Sequence, residues 1–181
     1  INKMKRLFPI AVLLAAALCS CGWAINDQNT IDISLPRTYS PAQLVGEWAS
    51  GYTNFTQVID AYNGRYLENT WQSGKYFKIT DDGRNSEAYF MAKSQFASTA
   101  TKITGTIRFD VGSTAESGAF TLLALKAHYK GWGSVTVDRE ATEDELKNNL
   151  TGKYYYRAEN GWIRIEPGKE VGPYASSFKR L

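Results

Sequence analysis

Polar and apolar residues alternate most regularly between Lys102 and Asp110. One face of this segment carries small or apolar residues, namely Ile103, Gly105, Ile107 and Phe109, and the other face carries polar ones. A period of two residues is typical of a β-strand with one buried and one solvated face. The segment therefore predicts a strand of an antiparallel sheet.

Shorter segments of the same kind follow one another along the chain. The dipeptides Asn63-Gly64 and Asn160-Gly161 favour type I′ turns, and each predicts a tight hairpin between the strands that flank it. The predicted strands are 44–48, 55–62, 65–71, 75–80, 87–92, 102–110, 120–125, 135–137, 153–157, 162–166 and 176–181. Strands joined mostly by short turns predict an all-β fold, an antiparallel up-and-down β-barrel of about 8–10 strands.

Two capping boxes predict one or two short helices beside the strands. The first is Ser40-Pro41-Ala42-Gln43, which leaves room for only one helical turn before the next strand. The second is Thr142-Glu143-Asp144-Glu145, whose acidic residues suit a helix N-terminus. Leu146 and Leu150 lie one turn apart on one face of that second helix.

A single helical turn that leads into Gly46-Glu47-Trp48 resembles the opening of lipocalin-like proteins, the calycin barrels. The resemblance implies that Gly46 allows a close backbone approach and that Trp48 fills the closed base of the barrel. It also implies that a cation near the chain end packs on this indole, with Arg180, Lys179 and Arg164 as candidates. The helix at 142–150 departs from the pattern, because further strands follow it.

The N-terminal residues predict an export signal. Lys5 and Arg6 precede an apolar run, 7–18, that is shorter than the ~20 residues of a membrane span. Leu18-Cys19-Ser20-Cys21 then resembles the lipobox of bacterial lipoproteins, which implies acylation of Cys21. An ordinary cleaved signal with a chance cysteine is the alternative.

The predicted export signal and lipidation site divide the chain into three parts. Residues 1–20 are a cleaved lipoprotein signal peptide, 21–39 are the lipidated cysteine and a flexible tether, and 40–181 are the lipocalin-like domain. The alternation within 31–35 leaves a short docked strand as an alternative for part of the tether.

Charge and the residue after Cys21 bear on location. The chain has 21 basic and 18 acidic residues, and loss of Lys3, Lys5 and Arg6 with the signal leaves no net charge. A neutral domain gives no electrostatic case for nucleic acid. By resemblance to the lipoprotein sorting rule, Gly22 in place of an aspartate points to the outer membrane. No acidic cluster of the kind that some surface-exposed lipoproteins carry follows Cys21, so we expect a lipid-anchored domain that faces the periplasm rather than the cell exterior.

Signals for catalysis are weak. The chain has one histidine, His128, and both of its cysteines lie in the signal region. It has no Cys/His cluster for zinc, no glycine-rich phosphate loop and no Gly-x-Ser-x-Gly elbow. The sequence therefore predicts no catalytic residue, no metal site and no cofactor, and it argues against an enzyme.

Binding fits the pattern better, because a small barrel can hold one ligand in its mouth. The candidate cavity residues are large aromatics, namely Trp48, Trp71, Phe77, Phe90 and Trp162. In the run Tyr154-Tyr155-Tyr156 the side chains alternate between faces, so at least one ring is expected to point outward. An exposed ring suits a sugar platform or a protein interface.

Three functional hypotheses follow. The first is an outer-membrane-anchored lipoprotein whose lipocalin-like barrel binds a small apolar or amphipathic ligand. The second is a non-catalytic accessory or scaffold subunit of an outer-membrane protein complex. The third is a glycan-binding surface lipoprotein. In each case the membrane is reached through acyl chains on Cys21.

Overall fold

The chain folds into a closed barrel of eight antiparallel strands, which confirms the predicted all-β barrel and is compatible with a lipocalin-like fold. The computed structural model describes residues 39–51, 72–94, 96–168 and 170–181. The described strands are β1 (Gly46–Ser50), β2 (Gln72–Ile79), β3 (Ser86–Lys93), β4 (Ala97–Phe109), β5 (Ser117–Gly133), β6 (Asp138–Glu140), β7 (Gly152–Glu159), β8 (Trp162–Pro167) and β9 (Ser176–Arg180).

Strands that follow one another along the chain are neighbours in the sheet almost throughout. The order β4-β3-β2-β1-β9-β8-β7-β5 is closed into a ring by the pairing of β4 with β5. Strand β6 pairs with the second half of β5, where β5 has already separated from β7. The ring is completed between the two ends of the domain, where Trp48 and Ala49 of β1 lie opposite Arg180 and Lys179 of β9.

One helix, α1, connects β6 to β7. It begins with Glu143–Glu145 and continues as a π-helical segment, Leu146–Leu150. The predicted capping box is confirmed, because the Thr142 side chain accepts from the Glu145 amide and the Glu145 side chain accepts from the Thr142 amide. Leu146 and Leu150 pack against the core, so the helix covers the side of the barrel where β5 and β7 part. No helix among the described residues is long and apolar enough to cross a membrane.

Aromatic and aliphatic side chains fill the interior. The ring of Phe77 lies at its centre, with centroids 5.8 Å from Phe90, 5.9 Å from Phe120, 5.6 Å from Tyr154 and 5.5 Å from Phe178. The first three are edge-to-face pairs, which add to the stabilisation that burial itself provides. The predicted inward face of β4 is confirmed, since Ile103, Ile107 and Phe109 are buried.

Two predictions about local structure differ from the structure, and a third concerns residues that the structure does not describe. Residues 41–44 form a hydrogen-bonded turn rather than a capped helix, because the Ser40 hydroxyl donates to the Thr80 carbonyl oxygen instead. The strand expected at 135–137 is displaced to β6, and Gly131 donates to the Val137 carbonyl oxygen. The hairpin expected at 55–71 and everything before Tyr39, including Cys21, lie outside the described residues.

Candidate functional site

One end of the barrel, the base, is closed by Trp48 and Arg180. The indole of Trp48 is 5 % exposed, and its Nε1 donates to the Leu44 carbonyl oxygen over 2.9 Å. The Arg180 guanidinium lies 5.7 Å from the centroid of the Trp48 ring and donates to the Val45 carbonyl oxygen over 2.8 Å. Of the three cations considered from the sequence, Arg180 is therefore the one over the indole.

Gly46 makes room for this arrangement. Its φ of +133° is in a region that other residues rarely adopt, and a Cβ there would lie 3.1 Å from Nη2 of Arg180. The base is thus a structural cluster built from both ends of the domain, and its indole is buried in the core.

The aromatic residues proposed to line an internal cavity do not share one location. Phe77 and Phe90 point into the interior, where they pack against other rings. Trp162 does not belong there: it is 45 % exposed on the outer wall, because Ile163 and Ile165 take the inward positions of β8. Trp71 lies outside the described residues.

The interior away from the base is also nearly full among the described residues. A space of about 10 Å³ remains among Phe77, Phe90, Tyr154 and their neighbours, with Lys75 and Ser176 at its rim. The Lys75 ammonium donates to the Ser176 hydroxyl over 2.8 Å across this rim. Such a space holds about one water molecule. The described interior is therefore a packed core.

A larger space, which we call the outer groove, lies on the outside of the barrel. Its volume is about 410 Å³, and it runs over β5 and β7 between two loops. The first loop contributes Asp110, Val111, Gly112 and Ser113, the strands contribute Ser117, Gly118, Ala119, Tyr155, Tyr156 and Arg157, and the second loop contributes Glu170 and Val171.

The first loop is fixed closely against β5. The Ser113 hydroxyl donates to the Ala119 carbonyl oxygen over 3.0 Å and accepts from the Ala119 amide over 3.2 Å. A Cβ at position 118 would lie 2.5 Å from the Ser113 oxygen and 2.8 Å from its Cα, so only glycine allows the loop to come this close. These contacts give the outer groove one rigid wall.

The second loop folds back onto β8 through polar contacts. The Gly172 amide donates to the Glu166 carboxylate over 2.5 Å, and the Arg164 guanidinium donates to the Gly172 carbonyl oxygen over 2.6 Å. These hydrogen bonds fix the second loop, which is the other wall of the groove, at a point two residues from Glu170.

The groove residues Tyr155 and Asp110 both contact Lys153, which lies beside the groove and is not one of its lining residues. Lys153 lies 5.4 Å from the centroid of the Tyr155 ring and forms an ion pair with Asp110 over 2.6 Å. The hydrogen bond to Asp110 is the main reason why the pKa of Lys153 is raised. Arg157 is exposed on the same face of β7. Such a surface offers hydrogen-bond donors, acceptors and an apolar ring to one small ligand.

The single histidine lies away from the groove, where β5 pairs with β6. Its Nε2 is 2.7 Å from Asp138 and its Nδ1 is 3.1 Å from Glu140. Only a protonated imidazole donates from both nitrogens. The hydrogen bond to Glu140 and then that to Asp138 raise the pKa of His128. The cluster joins β6 to β5, which is a structural role.

Within the described ranges, no group of three His, Cys, Asp or Glu side chains is arranged to hold a metal ion. Sequence reasoning missed the groove because its residues come from four separate segments. The one available signal was the outward Tyr of the Tyr154–Tyr156 run. Comparison of the chain with protein-family models and with curated proteins gives no match.

Proposed function

We propose that this chain is a lipid-anchored, non-catalytic binding protein of a bacterial outer membrane, and that its ligand occupies the outer groove. The observation that carries the proposal is the contrast between an interior that the described residues fill and a groove of about 410 Å³ on the barrel wall. Ligand sites in proteins are typically concave spaces of about 300–1,000 Å³.

The groove also has the chemical character of a ligand site. Tyr155 supplies an apolar ring, while Ser117, Arg157 and Glu170 supply hydrogen-bonding groups around it. Two loops that are hydrogen-bonded to the barrel hold these groups before any ligand arrives. A site organised in advance loses less conformational freedom when its ligand binds.

The lipobox-like segment Leu18–Cys21 supports the anchored location. Acylation of Cys21 with two or more chains would hold the domain stably, whereas one chain binds a membrane only marginally. The outer-membrane location rests on Gly22, and the orientation toward the periplasm, part of the same proposal, rests on the lack of an acidic cluster just after Cys21. In this arrangement the barrel acts as a rigid support that presents its outer wall.

The anchor is tested by fractionation of cells that express Cys21→Ser. We expect the variant in the soluble periplasmic fraction and the wild type in the membrane fraction, with the same circular-dichroism spectrum for both. A Cys21→Ser protein that stays with the membrane would contradict the acyl anchor.

The groove is tested by native mass spectrometry of the protein purified from its own cells. Ser117→Trp places an indole in the groove, while Ser134→Trp makes the same change at an exposed turn far from it. We expect a bound small molecule on the wild type and on Ser134→Trp, and none on Ser117→Trp. A ligand that survives Ser117→Trp would refute the groove. An empty wild type that retains a membrane-protein partner would favour the accessory-subunit hypothesis instead.

A further inference from the structure

Two arginines face each other directly on the outer wall beside the groove. Arg157 of β7 lies opposite Arg164 of β8 in the antiparallel register. Both point outward, because Tyr156, Ile163 and Ile165 hold the inward positions. Directly opposed residues have Cα atoms about 4.5–5.5 Å apart, and like charges in such a pair repel each other.

The flanking strands continue this row with hydroxyl groups. Ser117 of β5 lies opposite Arg157, and Ser177 of β9 lies opposite Arg164. Four neighbouring strands thus present two guanidinium groups between two hydroxyls, which are all hydrogen-bond donors. We call this set the arginine row.

Neither arginine of the row forms an ion pair with a carboxylate within the described ranges, although Glu159 and Glu166 lie two residues from Arg157 and Arg164 on the same strand faces. Arg164 donates to the carbonyl oxygen of Gly172, which is a neutral group. Within 39–51, 72–94, 96–168 and 170–181, the exposed Arg157 side chain makes no hydrogen bond or ion pair. An anion bound between the two guanidinium groups would offset their repulsion and take up the donors in a bidentate manner.

Aromatic rings flank the row on either side, along the strand direction. Tyr155 is two residues from Arg157 on β7, and Trp162 is two residues from Arg164 on β8. Because the strands are antiparallel, the two rings fall on opposite sides of the arginines, about 13 Å apart along the strand direction. A single ligand that contacts both rings must therefore be longer than one sugar ring.

Acidic residues at the border distinguish this surface from a simple anion site. Glu170 lines the groove, and Glu159 lies opposite Trp162. Carboxylates there accept hydrogen bonds from the hydroxyl groups of a ligand but repel a bare inorganic anion. Donors for one anionic group, acceptors for hydroxyls and two flat rings are the recognition elements of an acidic carbohydrate.

We infer that the arginine row binds a carboxylate, phosphate or sulfate group of an oligosaccharide whose sugar rings pack on Tyr155 and Trp162. The inference rests on the proposed function of the outer groove and names the class of its ligand. It also gives Trp162 a role on the outer wall.

Isothermal titration of the full mature protein with trigalacturonate, a sulfated disaccharide, maltotriose and inorganic phosphate tests this inference. We expect an acidic sugar to bind, and both maltotriose and phosphate to bind at least about tenfold more weakly. Arg157→Gln should weaken the acidic sugar about tenfold or more, whereas Arg84→Gln, an equal charge change in an exposed turn, should weaken it less than about twofold. Binding to Arg157→Gln within twofold of wild type would overturn the inference, and so would a wild type that binds neither acidic sugar.

Two further measurements distinguish failure of the acidic-carbohydrate assignment from failure of the proposed groove function. Arg157→Gln should raise the melting temperature of the ligand-free protein, because it removes one of two opposed positive charges; a lower melting temperature would indicate a structural role and count against the inference. If the copurified ligand is lost in Ser117→Trp but fully kept in Arg157→Gln, the groove function stands and the acidic-carbohydrate assignment fails. Phosphate that binds as tightly as the acidic sugars would likewise overturn the carbohydrate assignment.

Discussion

Replacement of Trp48 by alanine tests the closed base of the barrel. The indole is 5 % exposed and packs in the core cluster, so its removal leaves a cavity as well as losing buried apolar surface. Such Trp→Ala changes cost about 3–5 kcal/mol. The Leu44 carbonyl oxygen also loses its indole donor, and Arg180 loses the ring beneath its guanidinium. We therefore expect a loss of about 4 kcal/mol in the free energy of unfolding.

Urea denaturation followed by far-ultraviolet circular dichroism measures this loss without relying on tryptophan fluorescence. With a slope of about 2 kcal/mol per molar urea, the midpoint should fall by about 2 M. Trp162→Ala is the matched control, because it deletes the same side chain from the outer wall, where that residue is 45 % exposed. We expect the control to cost less than about 1 kcal/mol. Equal losses for the two variants, or less than about 1 kcal/mol for Trp48→Ala, would refute the assignment of the base.

Three other variants report on local contacts. Because the β6 carboxylates raise the pKa of His128, its stabilising contribution is present below about pH 6.5 and is lost as the pH rises through the folded-state pKa. His128→Gln should therefore remove the difference between melting temperatures measured at about pH 5.5 and pH 8. The hydrogen bond from Arg139 is the main cause that lowers the pKa of Glu145 to about 2, so its contribution is present above about pH 4.5 and is lost as the pH falls toward 2. Glu145→Gln should make urea midpoints less sensitive to acid than those of the wild type; an unchanged acid dependence would contradict this. Gly118→Ala forces a Cβ against Ser113 and should cost about 1–3 kcal/mol in urea unfolding, whereas a cost near zero would show that the loop moves freely.

Much of the barrel could be predicted from the sequence because its strands are locally encoded. Asn160 and Gly161 have φ of 51° and 80°, as a type I′ turn requires, and they place Glu159 opposite Trp162. The alternation in β4 likewise specifies its buried face. In these cases residues that are close together along the chain determine the local structure, so a single sequence is enough to predict it.

Predictions failed for two different reasons, a distant partner in the case of Ser40 and a misjudged local pattern in the case of Trp162. Ser40 could cap a helix, but the Thr80 carbonyl oxygen, 40 residues away, takes its hydroxyl instead. Trp162 was expected inside because it is large and aromatic. The spacing of Ile163 and Ile165 already placed it on the opposite face, so strand alternation was the better guide than residue type.

The candidate site could not be assembled from the sequence at all. Ser113 and Ala119 are near neighbours along the chain, but Arg157 and Glu170 reach the groove only through the pairing of β5, β7 and β8. The opposition of Arg157 and Arg164 could be read from the hairpin register, since a two-residue turn fixes it. Their position beside a groove could not be predicted, because the loop at 170–172 folds back through contacts that the sequence pattern does not indicate.

The seam between β1 and β9 has a consequence for the order in which the barrel forms. Only two residue pairs are aligned there. The hydrogen bond from the Arg180 side chain to the Val45 carbonyl oxygen joins residues 135 positions apart. Contacts between such distant residues form slowly, because a long loop must close before they give any stabilisation. Until then both β1 and β9 present unpaired strand edges, which readily pair with other chains. We therefore expect seam mutations such as Arg180→Ala to speed unfolding while leaving the folding rate nearly unchanged, and to increase aggregation during refolding.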